Sequence, residues 1–120
     1  MAEGVLNEGP ILHADIERYD DPGLDAALED DGVSLATAAY RLLSIEVANI
    51  LETRWFAQSR WAARQDIVDA LSQGKAVPPI IVYRAKDNPD LFGLIDGVNR
   101  TFAHWSLGIS TIRAYELITR

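Results

Sequence analysis

The alternation of apolar and polar positions is clearest in the second half of the chain, where it predicts helix, strand, strand, helix and strand. The first helix is expected over residues 59–72, because apolar side chains recur there at intervals of three and four. Two prolines then lead into a strand over residues 77–84, since proline favours an extended backbone. A hairpin loop returns the chain as a strand over residues 91–95, and residues 111–117 alternate as the last strand.

Between the last two strands lies the stretch on which the functional prediction rests. Residues 94–108 combine the end of a strand, a polar turn and a short amphipathic helix that Gly108 closes. Gly97 can adopt backbone angles that other residues avoid. A helix that starts directly after such a turn presents unpaired N–H groups and a positive dipole end, which suits a phosphate or another anion. Arg100 adds a cation at that end.

The first half is less regular. Residues 1–9 are expected to be a loose terminus, and residues 10–17 a short strand. A short helix that Asp21 caps, with the apolar face Leu24, Ala27 and Leu28, should follow a turn at residues 20–23. Two alternatives stay open after it. The segment 33–40 contains a candidate helical turn that Ser34 would cap, and the segment 41–47 suits a strand, although a helix could begin at Glu46. Residues 52–56 are expected to connect these elements, with aromatic side chains that fill the core or stack on a base.

The net charge of −7 is unevenly distributed. The first 32 residues hold ten acidic residues and one arginine, a balance of −9, whereas residues 33–120 hold eight acidic and ten basic residues, a balance of +2. The acidic segment is either a solvated face or a mobile flap over a basic site. A balance of +2 is too weak for a duplex-DNA surface, so a nucleic-acid partner is not expected.

Composition excludes several classes of protein. The chain has no cysteine, hence no disulfide, thiolate nucleophile or cysteine-based metal site. Its two histidines, His13 and His104, do not form a pair with metal-ligand spacing. No apolar run reaches membrane-spanning length, and residues 1–7 lack the features of a secretion signal. A single domain over residues 1–120, in the cytoplasm and away from membranes, is the expectation.

The order and spacing of these pieces over residues 43–118 resemble the ParB/sulfiredoxin superfamily. Its hallmark is a strand that ends in a Gly-x-His-Arg-like turn and opens a helix. In this chain the turn is Gly97-Val98-Asn99-Arg100, so that Asn99 stands where the family has histidine. The resemblance has no counterpart for residues 1–40, which are interpreted as an acidic N-terminal extension of the domain.

The resemblance implies a compact α/β domain with a small mixed sheet and flanking helices. It also implies a nucleotide-binding protein that uses ATP or another nucleoside phosphate with Mg²⁺, as an ATPase or phosphotransferase and thus a hydrolase or related enzyme. Sulfiredoxin activity itself is excluded, because that turn carries a catalytic cysteine in sulfiredoxins. The alternative is a non-catalytic binding module that acts through a protein partner, and a DNA-binding or nuclease role is a more distant alternative.

Carried over by position, the resemblance assigns phosphate or nucleotide binding to a set of turn residues and to one arginine before them: Asp96, Gly97, Asn99, Arg100, Thr101 and Arg54. The catalytic candidates are Glu52, as a base, and Arg100, which would offset charge on a phosphate. Each residue also has a structural interpretation. Asp96 and Asn99 suit turn and helix caps, Gly97 suits a tight turn, and Arg100 suits helix packing. Asn99 cannot carry a titratable proton, so the substitution weakens the case for catalysis more than the case for binding.

Overall fold

Five strands form one mixed sheet in a computed structural model that describes residues 3–18, 23–58 and 63–119. The strands are β1 (Glu3–Leu12), β2 (Ala39–Glu46), β3 (Ile80–Arg84), β4 (Phe92–Asp96) and β5 (Thr111–Thr119). The α-helices are α1 (Gly23–Asp30), α2 (Gln65–Ser72) and α3 (Val98–Ser106). This arrangement confirms the predicted α/β domain with a small mixed sheet and flanking helices.

The strands lie side by side in the order β1-β2-β5-β3-β4. All neighbours are antiparallel except β3 and β5, which run parallel. The last strand therefore inserts between β2 and β3, with Glu116 opposite Arg41 on one side and Val82 on the other. This insertion joins the first half of the chain to the β3–β4 hairpin.

Two apolar clusters cover the two faces of the sheet, because successive side chains of a strand point to opposite faces. On β5, Tyr115 and Leu117 pack in the cluster that contains Leu24 and Leu28 of α1. Ile112 and Ala114 pack in the other cluster. The remaining buried members of that second cluster are Leu43, Ile45, Val47, Ile50, Ile80, Val82 and Phe92.

The expected loose terminus over residues 1–9 is wrong for residues 3–9, because β1 begins at Glu3 and pairs with β2, with two shifts in register. Residues 1–2 lie outside the described residues. Its sequence shows no clean alternation, since β1 is an edge strand whose side chains from Gly4 to Pro10 are all exposed. Backbone pairing, which the sequence pattern does not reveal, holds this strand. The predicted strand over residues 10–17 is also wrong beyond Leu12, because His13–Asp15 form a 3₁₀ turn.

The long helix predicted over residues 59–72 is shorter than expected. Residues 59–62, including Trp61, lie outside the described residues, and the backbone of Arg64 is extended, with ψ of 125°. The helix α2 starts at Gln65, with Asp66 in its first turn, where an acidic side chain suits the positive end of the helix dipole. The apolar spacing thus extends further toward the N-terminus than the helix does.

The alternatives in the first half are settled by the structure. Residues 41–46 belong to a strand, and before it the N–H of Ala38 closes a turn on the C=O of Ser34. The α1 helix is confirmed, although its expected cap at Asp21 lies outside the described residues. The connecting segment is a 3₁₀ helix over Leu51–Gln58. In the described part of the chain, no helix is long and apolar enough to cross a membrane.

Candidate functional site

The predicted turn lies where β4 runs into α3. Its centre is Gly97, whose φ of 108° and ψ of 28° place it in the left-handed region. A Cβ added at Gly97 would lie 2.5 Å from Cγ2 of Ile80, so glycine is required both for the backbone angles and for the space. As a glycine, Gly97 has no side chain with which to cap the start of α3. The tight turn predicted from the sequence is therefore present, with the helix starting at the next residue.

Arg100 is buried within this turn, with 3% of its surface exposed. Its Nη1 donates to the carbonyl oxygens of Pro78 and Pro79 at 3.0 and 2.7 Å, and its Nη2 donates to Oδ2 of Asp96 at 2.9 Å. The side chain thus joins three pieces: the end of β4, the start of α3 and the proline segment that enters β3. These bonds hold the guanidinium inside the domain. The predicted contact of Arg100 with a phosphate stays a prediction.

Thr101 also has a structural role. Its side chain is fully buried, and both its hydroxyl and its N–H donate to the carbonyl of Gly97 at 2.9 Å. Asn99, by contrast, is half-buried, and no hydrogen bond of its side chain to another described residue is present. Of the predicted ligands on the helix, Asn99 therefore has the side chain that is available to a bound group.

Glu52 lies beside the strand that leads into the turn. Its Oε1 accepts a hydrogen bond from the N–H of Leu94 at 3.1 Å, which places the carboxylate two residues before Asp96 along β4. Arg54, two residues further along the same 3₁₀ helix, is exposed. The structure brings Glu52 close to the turn, whereas it leaves Arg54 on the surface.

Two surface pockets flank α3. One, of about 290 Å³, is lined by Trp105, Gly108 and neighbouring residues of the β2 end and the α3–β5 loop. The other, of about 140 Å³, is lined by His104, Ser44 and Arg113 among others. Sequence reasoning missed this second pocket, because its residues come from β2, α3 and β5 and form no motif along the chain.

Two partly buried polar networks lie elsewhere in the described part of the domain. The ring of His13 bonds to the hydroxyl of Tyr40 at 2.8 Å and to Asp25 at 2.9 Å, and burial raises the pKa of Tyr40 to about 12. Glu116 accepts hydrogen bonds from Arg41 and Arg84, all between 2.9 and 3.0 Å. Both networks connect segments distant in sequence, so they stabilise the fold and no periodic pattern predicts them.

Comparison with known proteins shows likeness in structure alone. No protein-family model and no curated protein matches the chain. The structure is similar to sulfiredoxin from Arabidopsis thaliana, with a TM-score of 0.48 and 20% identity, over 62% of this chain and 82% of that one. It is also similar to a Pnob8-like ParB-N domain, with a TM-score of 0.47 and 19% identity, over 67% of this chain. The match covers 30% of the length of that second protein.

Proposed function

We propose that this chain binds the phosphate groups of ATP or another nucleoside phosphate at the turn over residues 96–101. The observation that carries the proposal is the start of α3 at a left-handed glycine without a side-chain cap. The first N–H groups of a helix have no intrahelical partner, and the dipole makes that end positive. A phosphate is the group that satisfies both features.

The residues around the turn take different parts in this proposal. The amide of Asn99 donates to a phosphate oxygen, and the exposed Arg54 supplies a cation. Arg100 is a positioning residue: through its bonds to Asp96 and to the carbonyl of Pro79 it holds the turn against the start of β3. Gly97 lets the helix begin at that point.

The chain's own residues do not fit a dedicated Mg²⁺ site. The carboxylate of Asp96 is paired with Arg100, and the described residues contain no group of three or more His, Asp or Glu that could hold a metal. Mg²⁺ commonly binds through substrate phosphates and water, with one or two carboxylates. The expected metal would therefore arrive with the nucleotide.

Hydrolysis or phosphoryl transfer needs a group that manages a proton, and Glu52 is the candidate base. One of its carboxylate oxygens is engaged by Leu94, so the other is the oxygen that would face a substrate. Asn99 cannot take this role, because an amide does not titrate. Binding is consequently the primary proposal, and ATPase or phosphotransferase activity depends on Glu52.

Titration calorimetry tests the binding proposal with ATP, ADP, CTP and NAD, each with and without Mg²⁺. We expect at least one nucleotide to bind, and Asn99→Ala to weaken it by about tenfold through loss of a charge-assisted hydrogen bond. Arg54→Gln should weaken it about fivefold. Lys86→Gln, which removes the same charge from the exposed β3–β4 loop, is the matched control and should bind as the parent does.

No binding of any of these nucleotides at millimolar concentration would contradict the proposal. Equal binding by the parent and by Asn99→Ala would contradict the place of the site.

The alternative function, a module that binds a protein partner, is favoured by the exposed fractions of Trp55, Trp105 and Leu107, which are 61, 38 and 41%. A chain that binds no nucleotide but captures a partner through these side chains would support that alternative.

A further inference from the structure

The smaller pocket beside α3 is lined by polar side chains from three elements. It has a volume of about 140 Å³, far above the roughly 10–15 Å³ that one water molecule requires. Its polar members are Ser44 on β2, His104 on α3, and Thr111 and Arg113 on β5. The pocket lies outside the turn at residues 96–101, and none of the proposed nucleotide ligands lines it.

The geometry of His104 determines what its ring presents to this pocket. The side chain is 7% exposed, and Nδ1 lies 2.7 Å from the carbonyl oxygen of Arg100. A carbonyl only accepts, so Nδ1 carries the hydrogen. Burial lowers the pKa of His104 below its ordinary value of 6.5; the hydrogen bond to the Arg100 carbonyl raises it by less, and the Arg100 charge lowers it, so the neutral ring predominates near pH 7. The other nitrogen, Nε2, is therefore an acceptor.

Nε2 of His104 has no hydrogen-bond partner among the described residues. In the described part of the chain, every fully buried side-chain nitrogen or oxygen has a hydrogen-bond partner. Nε2 has none, so it is accessible to solvent. His104 is one of the residues that line the pocket, so its solvent-accessible Nε2 is available to a ligand bound there. A ligand that fills the pocket must therefore offer His104 a hydrogen-bond donor.

The other polar groups of the pocket can donate hydrogen bonds to a ligand. Arg113 uses Nη2 to donate to the carbonyl of Val77 at 2.9 Å, which leaves further N–H groups of its guanidinium for a ligand. No hydrogen bond of the Ser44 or Thr111 hydroxyl to another described residue is present. One cation and two hydroxyls favour an anion with several acceptor oxygens. The acidic residue nearest to Ser44 along β2 is Glu46. Within the described residues, it makes no ion pair that would neutralise Arg113.

We propose that the pocket formed by Ser44, His104, Thr111 and Arg113 binds inorganic hydrogen phosphate. The phosphate oxygens accept from Arg113 and from the two hydroxyls, and the P–O–H group donates to Nε2 of His104. Phosphate retains at least one proton at pH 7.5, whereas sulfate has none. The neutral histidine therefore selects phosphate over sulfate, because sulfate would place a lone pair against that of Nε2.

The test is a titration of the ¹⁵N-labelled chain at pH 7.5 and constant ionic strength with phosphate, sulfate and O-phosphoserine, followed by NMR. The ring signals of His104 are distinguishable from those of the other histidine, His13, by comparison with His13→Gln. We expect phosphate to shift the His104 ring signals and the amide signals of Ser44, Thr111 and Arg113, with saturation. Sulfate, and the phosphoserine ester, which is largely a dianion without a proton at this pH, should bind at least tenfold more weakly.

Two variants locate the site. Arg113→Gln removes the cation and should weaken phosphate binding by at least tenfold. Ser44→Ala should weaken it about fivefold, and it removes a hydroxyl that bonds to no other described residue, so folding should be preserved. Lys86→Gln is again the charge-matched control in the β3–β4 loop.

Equal shifts with phosphate and sulfate would overturn the proposal, as would unchanged phosphate affinity in both Arg113→Gln and Ser44→Ala. Failure here is distinguishable from failure of the nucleotide proposal. Nucleotide binding is read from the amide signals of residues 97–101 and from Asn99→Ala, whereas phosphate binding in the pocket is read from residues 44, 111 and 113.

Discussion

At the scale of single residues, the Arg100 side chain contributes to stability in a way that an exposed arginine does not. It is 3% exposed and ion-paired with Asp96 at 2.9 Å, so its truncation leaves a partly buried carboxylate and two carbonyl groups without their donor. Removal of one partner from a buried ion pair costs about 3–5 kcal/mol. We expect Arg100→Ala to lower the free energy of unfolding by about that amount in urea denaturation.

The control for Arg100 is Arg64→Ala. Arg64 forms an ion pair with Asp66 at 2.8 Å, but both side chains are about half exposed, and exposed pairs contribute about 0–1 kcal/mol. If both variants lose the same small amount of stability, Arg100 does not hold the turn as described. The expected loss also means that Arg100→Ala is a poor probe of ligand binding, for which Asn99→Ala is the better variant.

Gly97 is the second residue for which the stability lost on substitution can be predicted. Gly97→Ala places a residue with a Cβ at φ of 108°, and that Cβ would lie 2.5 Å from Ile80. We expect a loss of about 2–4 kcal/mol in the free energy of unfolding, of which about 1–2 kcal/mol is backbone strain. Gly74→Ala separates the two causes. Gly74 has φ of 73° and no atom within 4 Å of an added Cβ, so this variant should lose only the strain term. Equal losses in thermal or urea unfolding would show that Ile80 gives way without cost.

At the scale of elements, the sequence predicts those whose side chains carry the signal. The β3–β4 hairpin and α3 were predicted because apolar residues such as Val82, Phe92 and Phe102 recur at strand or helix spacing and are buried. Of the edge strand β1, only residues 10–12 were predicted as strand, because its hydrogen bonds to β2 are made by the backbone and its side chains are largely exposed. The start of α2 was also missed, since the apolar spacing does not end where the helix does.

The same distinction applies to the candidate sites. The turn at Gly97 is a continuous motif, so its conformation could be predicted from the glycine and from the helix pattern after it. That Arg100 turns inward to Pro78 and Pro79 could not, because this depends on how the proline segment lies against α3. The pocket of Ser44, His104 and Arg113 depends on three separate elements, and only the folded sheet brings them together.

At the scale of the whole molecule, the acidic first segment is integrated into the domain. Asp25 on α1 bonds to both His13 and Arg18, at 2.9 and 2.8 Å, while Leu24 and Leu28 of the same helix are buried in the core. The described part of this segment is therefore packed on the sheet, in contrast to the mobile flap that one interpretation of its charge suggested. The acidic side chains that remain exposed, such as Glu29 and Asp30, form a solvated face.

The Glu116 network connects both halves of the sheet, and its charge makes the stability of the whole domain depend on pH. Burial raises the pKa of Glu116, but Arg84 and Arg41 lower it more, so that the pKa lies below its ordinary value of 4.5. A carboxyl whose pKa is lower in the folded state stabilises the fold above its unfolded pKa, and this contribution disappears as pH falls through the folded pKa.

Glu116→Gln should therefore lower the free energy of unfolding by about 2 kcal/mol at pH 7, because two arginines lose their carboxylate. The difference from the parent should shrink as pH falls below about 4.5, measured by urea unfolding across that range. Glu29→Gln, on the exposed face of α1, should match the parent at pH 7. A Glu116→Gln deficit that stays constant down to pH 3 would show that packing, and not the ionised carboxylate, joins β2, β5 and β3.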